Sequence, residues 1–112
     1  MSKVSVLMAA YNSEKYIAKA IESLLTQTHK DLQIICIDDV STDSTYSIIK
    51  EYAAQDSRIK VLQMERNSGQ AKARNQGLAV AEGDYITVLD SDDWLSEDAI
   101  ERAVEVLDNN KE

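Results

Sequence analysis

One cysteine, Cys36, and one histidine, His29, are all that this 112-residue chain holds of either type. A lone cysteine excludes an internal disulfide and a cysteine-built metal centre, and a lone histidine excludes multi-histidine zinc sites. Glycine is nearly as scarce. Gly69, Gly77 and Gly83 match neither the dinucleotide fingerprint nor the P-loop pattern, which sets aside a nicotinamide enzyme and a P-loop NTPase. Bases number 12 against 20 acids, for a formal charge of -8. Counterion release on a polyanion needs clustered Lys and Arg, so a general nucleic-acid surface is excluded. The apolar runs are too short to span a bilayer. Met1-Ser2-Lys3-Val4 leads straight into a strand pattern rather than a signal-peptide core, and a cytoplasmic location is expected. Proline and phenylalanine are also absent, and nothing in the chain accounts for either.

What remains is ordinary globular composition, 44% hydrophobic and 29% charged, in a chain sized for one domain. Two signals alternate along it. Val4 to Ala10, Leu32 to Ile37, Ile59 to Met64 and Tyr85 to Leu89 read as strands. Helical spacing follows each one: Ile17, Ile21, Leu24 and Leu25 after an Asn12-Ser13 capping signal, then Ile48, Ile49 and Tyr52, then Gln70 to Ala81. Ser96 is expected to cap a last helix with Ile100, Ala103, Val104 and Leu107 inward. The second strand, apolar almost throughout, suits a parallel strand covered on both faces. Four β-α units in a row predict an α/β fold, a Rossmann-like open parallel sheet in the order 3-2-1-4 with helices on both faces.

In such a sheet, ligands bind beyond the carboxyl ends of the strands at the switch point. Those ends carry Ala9-Ala10-Tyr11-Asn12, Asp38-Asp39, Glu65-Arg66-Asn67 and Asp90-Ser91-Asp92-Asp93. Carboxylates gathered on one rim repel each other unless a cation joins them, and a hard divalent metal, Mg²⁺ or Mn²⁺, is the simplest resident. Asp92 is the strongest candidate ligand, because Ser96 already offers a cap for the helix, whereas Asp93 fits a capping role equally well. Lys72 and Arg74, opening the third helix, are the cations available to phosphates. Glu97, Glu101, Glu105 and Asp108 read as a solvated helix face. Cys36 reads as a small buried apolar residue, His29 as a C-terminal helix partner or a solvent residue, and Trp94 as a cover for the end of the fourth strand.

Several blocks together carry a resemblance. Val4 to Asn12 runs into Ser13-Glu14-Lys15-Tyr16-Ile17, and Ile37-Asp38-Asp39-Val40-Ser41-Thr42-Asp43 follows. Next come Asn67-Ser68-Gly69 with Ala73-Arg74-Asn75-Gln76-Gly77, then Glu82-Gly83-Asp84-Tyr85-Ile86, then Leu89-Asp90-Ser91-Asp92-Asp93-Trp94. In this order and spacing they resemble the inverting family 2 glycosyltransferases of the GT-A fold, the last block being similar to that family's D-x-D motif. The resemblance implies a nucleotide-diphosphate sugar as donor, most simply a UDP-sugar, and a glycan or lipid-linked acceptor. It places Ala9 and Tyr11 at the nucleobase, Asp39 on the ring N–H of a uracil-like base, Asp90 and Ser91 near the ribose and Asp92 on the metal. Arg74 falls on the nucleotide side of the cleft, and Asn12, Glu14 and Asp38 are counted with the nucleotide-binding residues. It also implies association of the full-length protein with the cytoplasmic face of a membrane.

The pattern departs from the family at two positions, Ala9 where proline is common and Val40 where glycine is common. A larger departure is length, since the family's general base and acceptor site lie in a further segment. Residues 1–112 are therefore expected to form the donor-nucleotide half of a GT-A domain, inactive in transfer by itself, with the base supplied elsewhere. Its fourth strand, with Tyr85, Ile86, Val88 and Leu89, would be an uncovered edge prone to self-association. Two other readings compete. A phosphotransferase of the haloacid dehalogenase kind would use Asp90 as nucleophile and Asp92 as acid/base, but its motif belongs on an early strand with further motifs after it. A non-catalytic nucleotide-binding or interaction module on the same fold stays open, and metal-dependent nucleotide binding separates it from an inert scaffold.

Overall fold

The computed structural model describes residues 2–109. Along the chain come β1 (Val4–Ala10), α1 (Ile17–Leu25), β2 (Leu32–Asp38), α2 (Thr45–Gln55), β3 (Ile59–Gln63), α3 (Gln70–Val80), β4 (Tyr85–Val88) and α4 (Ala99–Asn109). The strands form one sheet in the order β3-β2-β1-β4, every neighbouring pair parallel. This is the expected order. β1 is buried at every residue, as a central parallel strand must be when helices cover both faces.

Side chains alternate across the pleat and divide the core in two. Val4, Val6, Met8 and Ala10 of β1 point to one side, where they pack with Ile17, Ile21 and Leu24 of α1, Ile49 of α2 and Ile100 and Val104 of α4. Leu7 and Ala9 point to the other side with Ile35 and Ile37 of β2, and Ala73 of α3 closes on them. Gly77 lets α3 come this close, because a Cβ there would stand 2.7 Å from Ile37 Cδ1 and 3.2 Å from Leu7 Cδ2.

Local capping departs from the sequence reading. α1 begins at Ile17, and the Ser13 carbonyl accepts the N–H groups of Tyr16 and Ile17 at 2.9 and 2.8 Å, so the Asn12 and Ser13 side chains are not its caps. Nor does Ser96 cap α4. The fully buried Gln27 does that work across space, accepting the Ile100 N–H at 3.0 Å and donating to the Ser96 carbonyl at 2.7 Å. On α4, Ile100 and Val104 are buried, but Ala103 and Leu107 are exposed. They line an apolar groove of about 250 Å³ with Tyr85 and Ile86 along the β4 edge, where no fifth strand stands among the described residues.

Three isolated residues also find places. His29 is not solvated but buried, with Nε2 2.7 Å from the Ser2 carbonyl rather than at the end of α1. Trp94 does not cover β4; it is 54% exposed and stacks under the Lys19 ammonium, 3.7 Å from the ring centroid. Cys36 is wholly buried on β2, and burial pushes its thiol up to about 12, which leaves it inert at neutral pH.

Val40, just past β2, has φ +59. A β-branched residue in the left-handed region is strained by about 1–3 kcal/mol, and glycine is not. Val40→Gly is therefore expected to stabilise the fold by about 1 kcal/mol after the extra chain entropy of glycine is counted. Thermal unfolding checks this. The expected rise in midpoint is about 4–8 °C for a domain of this size, and no rise would mean that the valine is relaxed.

Candidate functional site

β1 reaches further along the sheet than β4. Leu7 pairs with Val88, the last residue of β4, while Ala10 still pairs with Asp38 of β2. The step leaves a recess at the switch point, where crossovers from β1 and β4 leave in different directions. A cleft of about 310 Å³ opens there, lined by Tyr11, Asn12, Ser13, Tyr16, Gln70, Asp90, Ser91 and Asp92. Five of the expected residues, Tyr11, Asn12, Asp90, Ser91 and Asp92, thus meet in one place. Tyr11 is 49% exposed on the rim, open to stacking on one side.

The chain turns sharply after Leu89, with the Asp93 N–H on the Asp90 carbonyl at 3.0 Å. Carboxylate oxygens of Asp90, Asp92 and Asp93 consequently fall within 4.8 Å of one another, all three residues exposed. Arg74 on α3 reaches over to this turn. Its Nη2 donates to Asp90 Oδ1 at 3.1 Å and to Gln70 Oε1 at 3.3 Å. Among the described residues neither Asp92 nor Asp93 has an ion-pair partner. Hard oxygen ligands, uncompensated charge and an open outer side fit a Mg²⁺ or Mn²⁺ ion held by one or two carboxylates and a phosphate.

The β2 end differs from expectation. Asp38 is fully buried and faces away from the cleft: Oδ1 accepts the Ser41 hydroxyl at 2.6 Å, and Oδ2 accepts the Ser41 N–H and the Gln63 amide at 3.1 and 3.2 Å. It shapes the loop after β2 and is not among the residues lining the cleft. Asp39, 3% exposed, is already engaged, Oδ1 accepting the Ser68 N–H at 2.9 Å and Oδ2 the Gly69 N–H at 2.8 Å. It clasps the turn that starts α3, and each oxygen keeps one further acceptor site. Ala9 is buried beneath α3 and is not among the residues lining the cleft. Glu14 lies on the exposed turn after the cleft, its N–H 3.3 Å from Asp43 Oδ2. Asn12, at φ +49, spends its Oδ1 on the Thr42 N–H at 2.8 Å, holding two loops together at the rim. Lys72 is not at the acidic turn. With Arg66 it lines a separate groove of about 520 Å³ beyond the end of β3.

Ser13, read from the sequence as a helix-capping residue, instead joins three segments. Its N–H donates to Thr45 Oγ1 at 2.7 Å, and its hydroxyl lies 2.6 Å from that of Ser91. Thr45 in turn bonds Asp43 through both hydroxyl and N–H, at 2.5 and 2.9 Å. Desolvation works to raise the Asp43 carboxyl, and these bonds, with that from the Glu14 N–H, outweigh it and hold the group below the ordinary carboxylate range. Tyr16, Gln70 and Ser13 carry no motif of their own beyond the blocks they sit in. Only the folded loops bring them to the cleft.

An open parallel sheet in the order β3-β2-β1-β4, with a carboxylate-rich turn beside its switch point, has the architecture of the GT-A fold. The chain belongs to glycosyl transferase family 2, whose family model matches residues 5–112. It is 43% identical over 98 residues to glycosyltransferase GlyG of Streptococcus pneumoniae, covering 88% of this chain and 33% of that protein. It is 42% identical over 104 residues to the putative teichuronic acid biosynthesis glycosyltransferase TuaG of Bacillus subtilis, covering 93% of this chain and 41% of that one. Staphylococcus aureus TarS, solved with UDP, superposes at TM-score 0.88 with 37% identity over 96% of this chain and 32% of its own. A mannosyltransferase from Pyrobaculum calidifontis, solved with GDP-Man and Mn²⁺, superposes at 0.87 with 25% identity over 95% of this chain and 32% of its own. The chain thus spans a third to two-fifths of these relatives.

Proposed function

We propose that this chain forms the donor-binding part of a glycosyltransferase that moves a sugar from a nucleoside diphosphate, most simply UDP, to a glycan or lipid-linked hydroxyl with inversion. The observation that carries the reading is the convergence of the Asp90–Asp93 turn, Arg74 and Tyr11 on one cleft at the switch point. Tyr11 would stack on the base, and the free acceptor sites of Asp39 would take a ring N–H at its edge. Asp90 and Ser91 would approach the ribose. Asp92, with Asp90 or Asp93, would hold Mn²⁺ or Mg²⁺, which when bound neutralises the departing diphosphate. Arg74 adds a cation paired with the turn at Asp90. The base that takes the acceptor proton is assigned to a segment beyond these residues.

Calorimetric titration of UDP with and without Mn²⁺ tests this reading. Binding that requires the metal is expected, and no heat up to millimolar UDP in either condition would refute it. The exposed β4 edge carries a second expectation. Ile86 and Val88, each 47% exposed, lie on the outermost strand, beyond which no further strand stands among the described residues, and such an edge recruits another strand. We infer that this chain self-associates there. Sedimentation should show mass rising with concentration, and a monomer at high concentration would contradict it. No helix among the described residues is long and apolar enough to cross a membrane.

A further inference from the structure

Six aromatic residues occur in the chain, Tyr11, Tyr16, Tyr46, Tyr52, Tyr85 and Trp94. Three of them are about half exposed: Tyr11 at 49%, Tyr16 at 52% and Trp94 at 54%. Tyr46, Tyr52 and Tyr85 are more deeply set. All three exposed rings belong to the loops around the acidic turn, which is not how exposure distributes when surface aromatics are incidental. Tyr11 has a role in the base pocket; Tyr16 and Trp94 have none so far. Tyr16 lines the same cleft as Asp92. Lys19 stands on α1 three residues after Tyr16, and its ammonium sits over the Trp94 ring. That contact ties the indole to α1, which starts one residue after Tyr16, and covers one of its faces, so its exposed area lies on the other.

We propose that Tyr16 and Trp94 form a saccharide platform at the outer side of the cleft. A pyranose presents a flat face of C–H groups, which are electropositive, and an edge of hydroxyls. The C–H face suits the negative faces of exposed rings, and the hydroxyl edge suits neighbouring carboxylates. Tyr16 and Trp94 supply the first, and Asp92 and Asp93 the second. The inference rests on the donor-binding reading above, and it adds which residues receive the sugar.

Trp94 is the only tryptophan, so its emission reports on the platform directly. With Mn²⁺ present, UDP-glucose, UDP-N-acetylglucosamine and GDP-mannose are compared with UDP and GDP. Methyl glucoside and methyl N-acetylglucosaminide are then added to protein saturated with UDP. A sugar on the platform shifts Trp94 emission beyond the parent nucleotide in the first arm if it is the donor's, or in the second if it is the acceptor's. Tyr16→Ala should weaken the responding sugar about three- to tenfold while calorimetry shows UDP affinity changed by less than about twofold. Identical emission with and without sugar in both arms would overturn the platform, as would a Tyr16→Ala variant that loses UDP as strongly as the sugar. Failure of UDP alone to bind would instead refute the donor reading, and the same glycosides added to nucleotide-free protein would then decide the platform.

Discussion

Asp39→Ala is expected to destabilise the fold by about 3–5 kcal/mol, because two charge-assisted hydrogen bonds vanish together. The carboxylate joins the end of β2 to the turn that starts α3, through the N–H groups of Ser68 and Gly69. Those donors belong to the open N-terminal end of α3, where a negative charge is also favoured by the helix dipole. Asparagine keeps one acceptor oxygen but turns an amide against the second N–H, so Asp39→Asn should lose about half as much. Against a total stability of about 5–15 kcal/mol, the alanine variant would stand near the margin. Urea unfolding measures both. An alanine variant within about 1 kcal/mol of the parent would show that water replaces the clasp at no cost.

Asp92→Asn should have the opposite profile: little change in folding and a large loss of metal binding. Asp92 is exposed, faces the cleft and has like charges for neighbours, so neutralising it relieves repulsion and removes no packing. A carboxylate is the ligand that a hard cation requires at such a site, and an amide oxygen replaces it poorly. The expected loss in Mn²⁺ affinity, read from the electron paramagnetic resonance signal of free Mn²⁺ in the presence of UDP, is about 10- to 100-fold or more. Asp93, which does not line the cleft, should matter less. Equal losses at the two positions would mean that the cation sits over the turn rather than within the cleft.

The sheet was legible in the sequence because a buried parallel strand leaves an uninterrupted apolar run, and Val4 to Ala10 and Leu32 to Ile37 are such runs. Strand order followed from the handedness of the crossovers. The acidic turn was legible for a similar reason, as carboxylates directly after an apolar strand fall on the rim. Less legible was what each polar side chain does once there. Asp38 and Asp39 are adjacent in sequence, and the pleat sends them to different loops, both as internal hydrogen-bond acceptors. Gln27 capping α4 from α1, and Ser13 bonding Ser91, are contacts across 73 and 78 residues with no local signature. Val40 was visible as a departure from a glycine pattern, and the backbone bears out the conformational demand behind it.

The central claim is the location of the site, and amide chemical-shift mapping with UDP and Mg²⁺, which is diamagnetic, tests it most directly. Shifts centred on Tyr11, Asn12, Ser13, Arg74 and Asp90 to Asp92, and absent without the metal, are the predicted result. Shifts centred instead on Gln63 to Arg66 and Lys72, in the wider groove beyond β3, would contradict it.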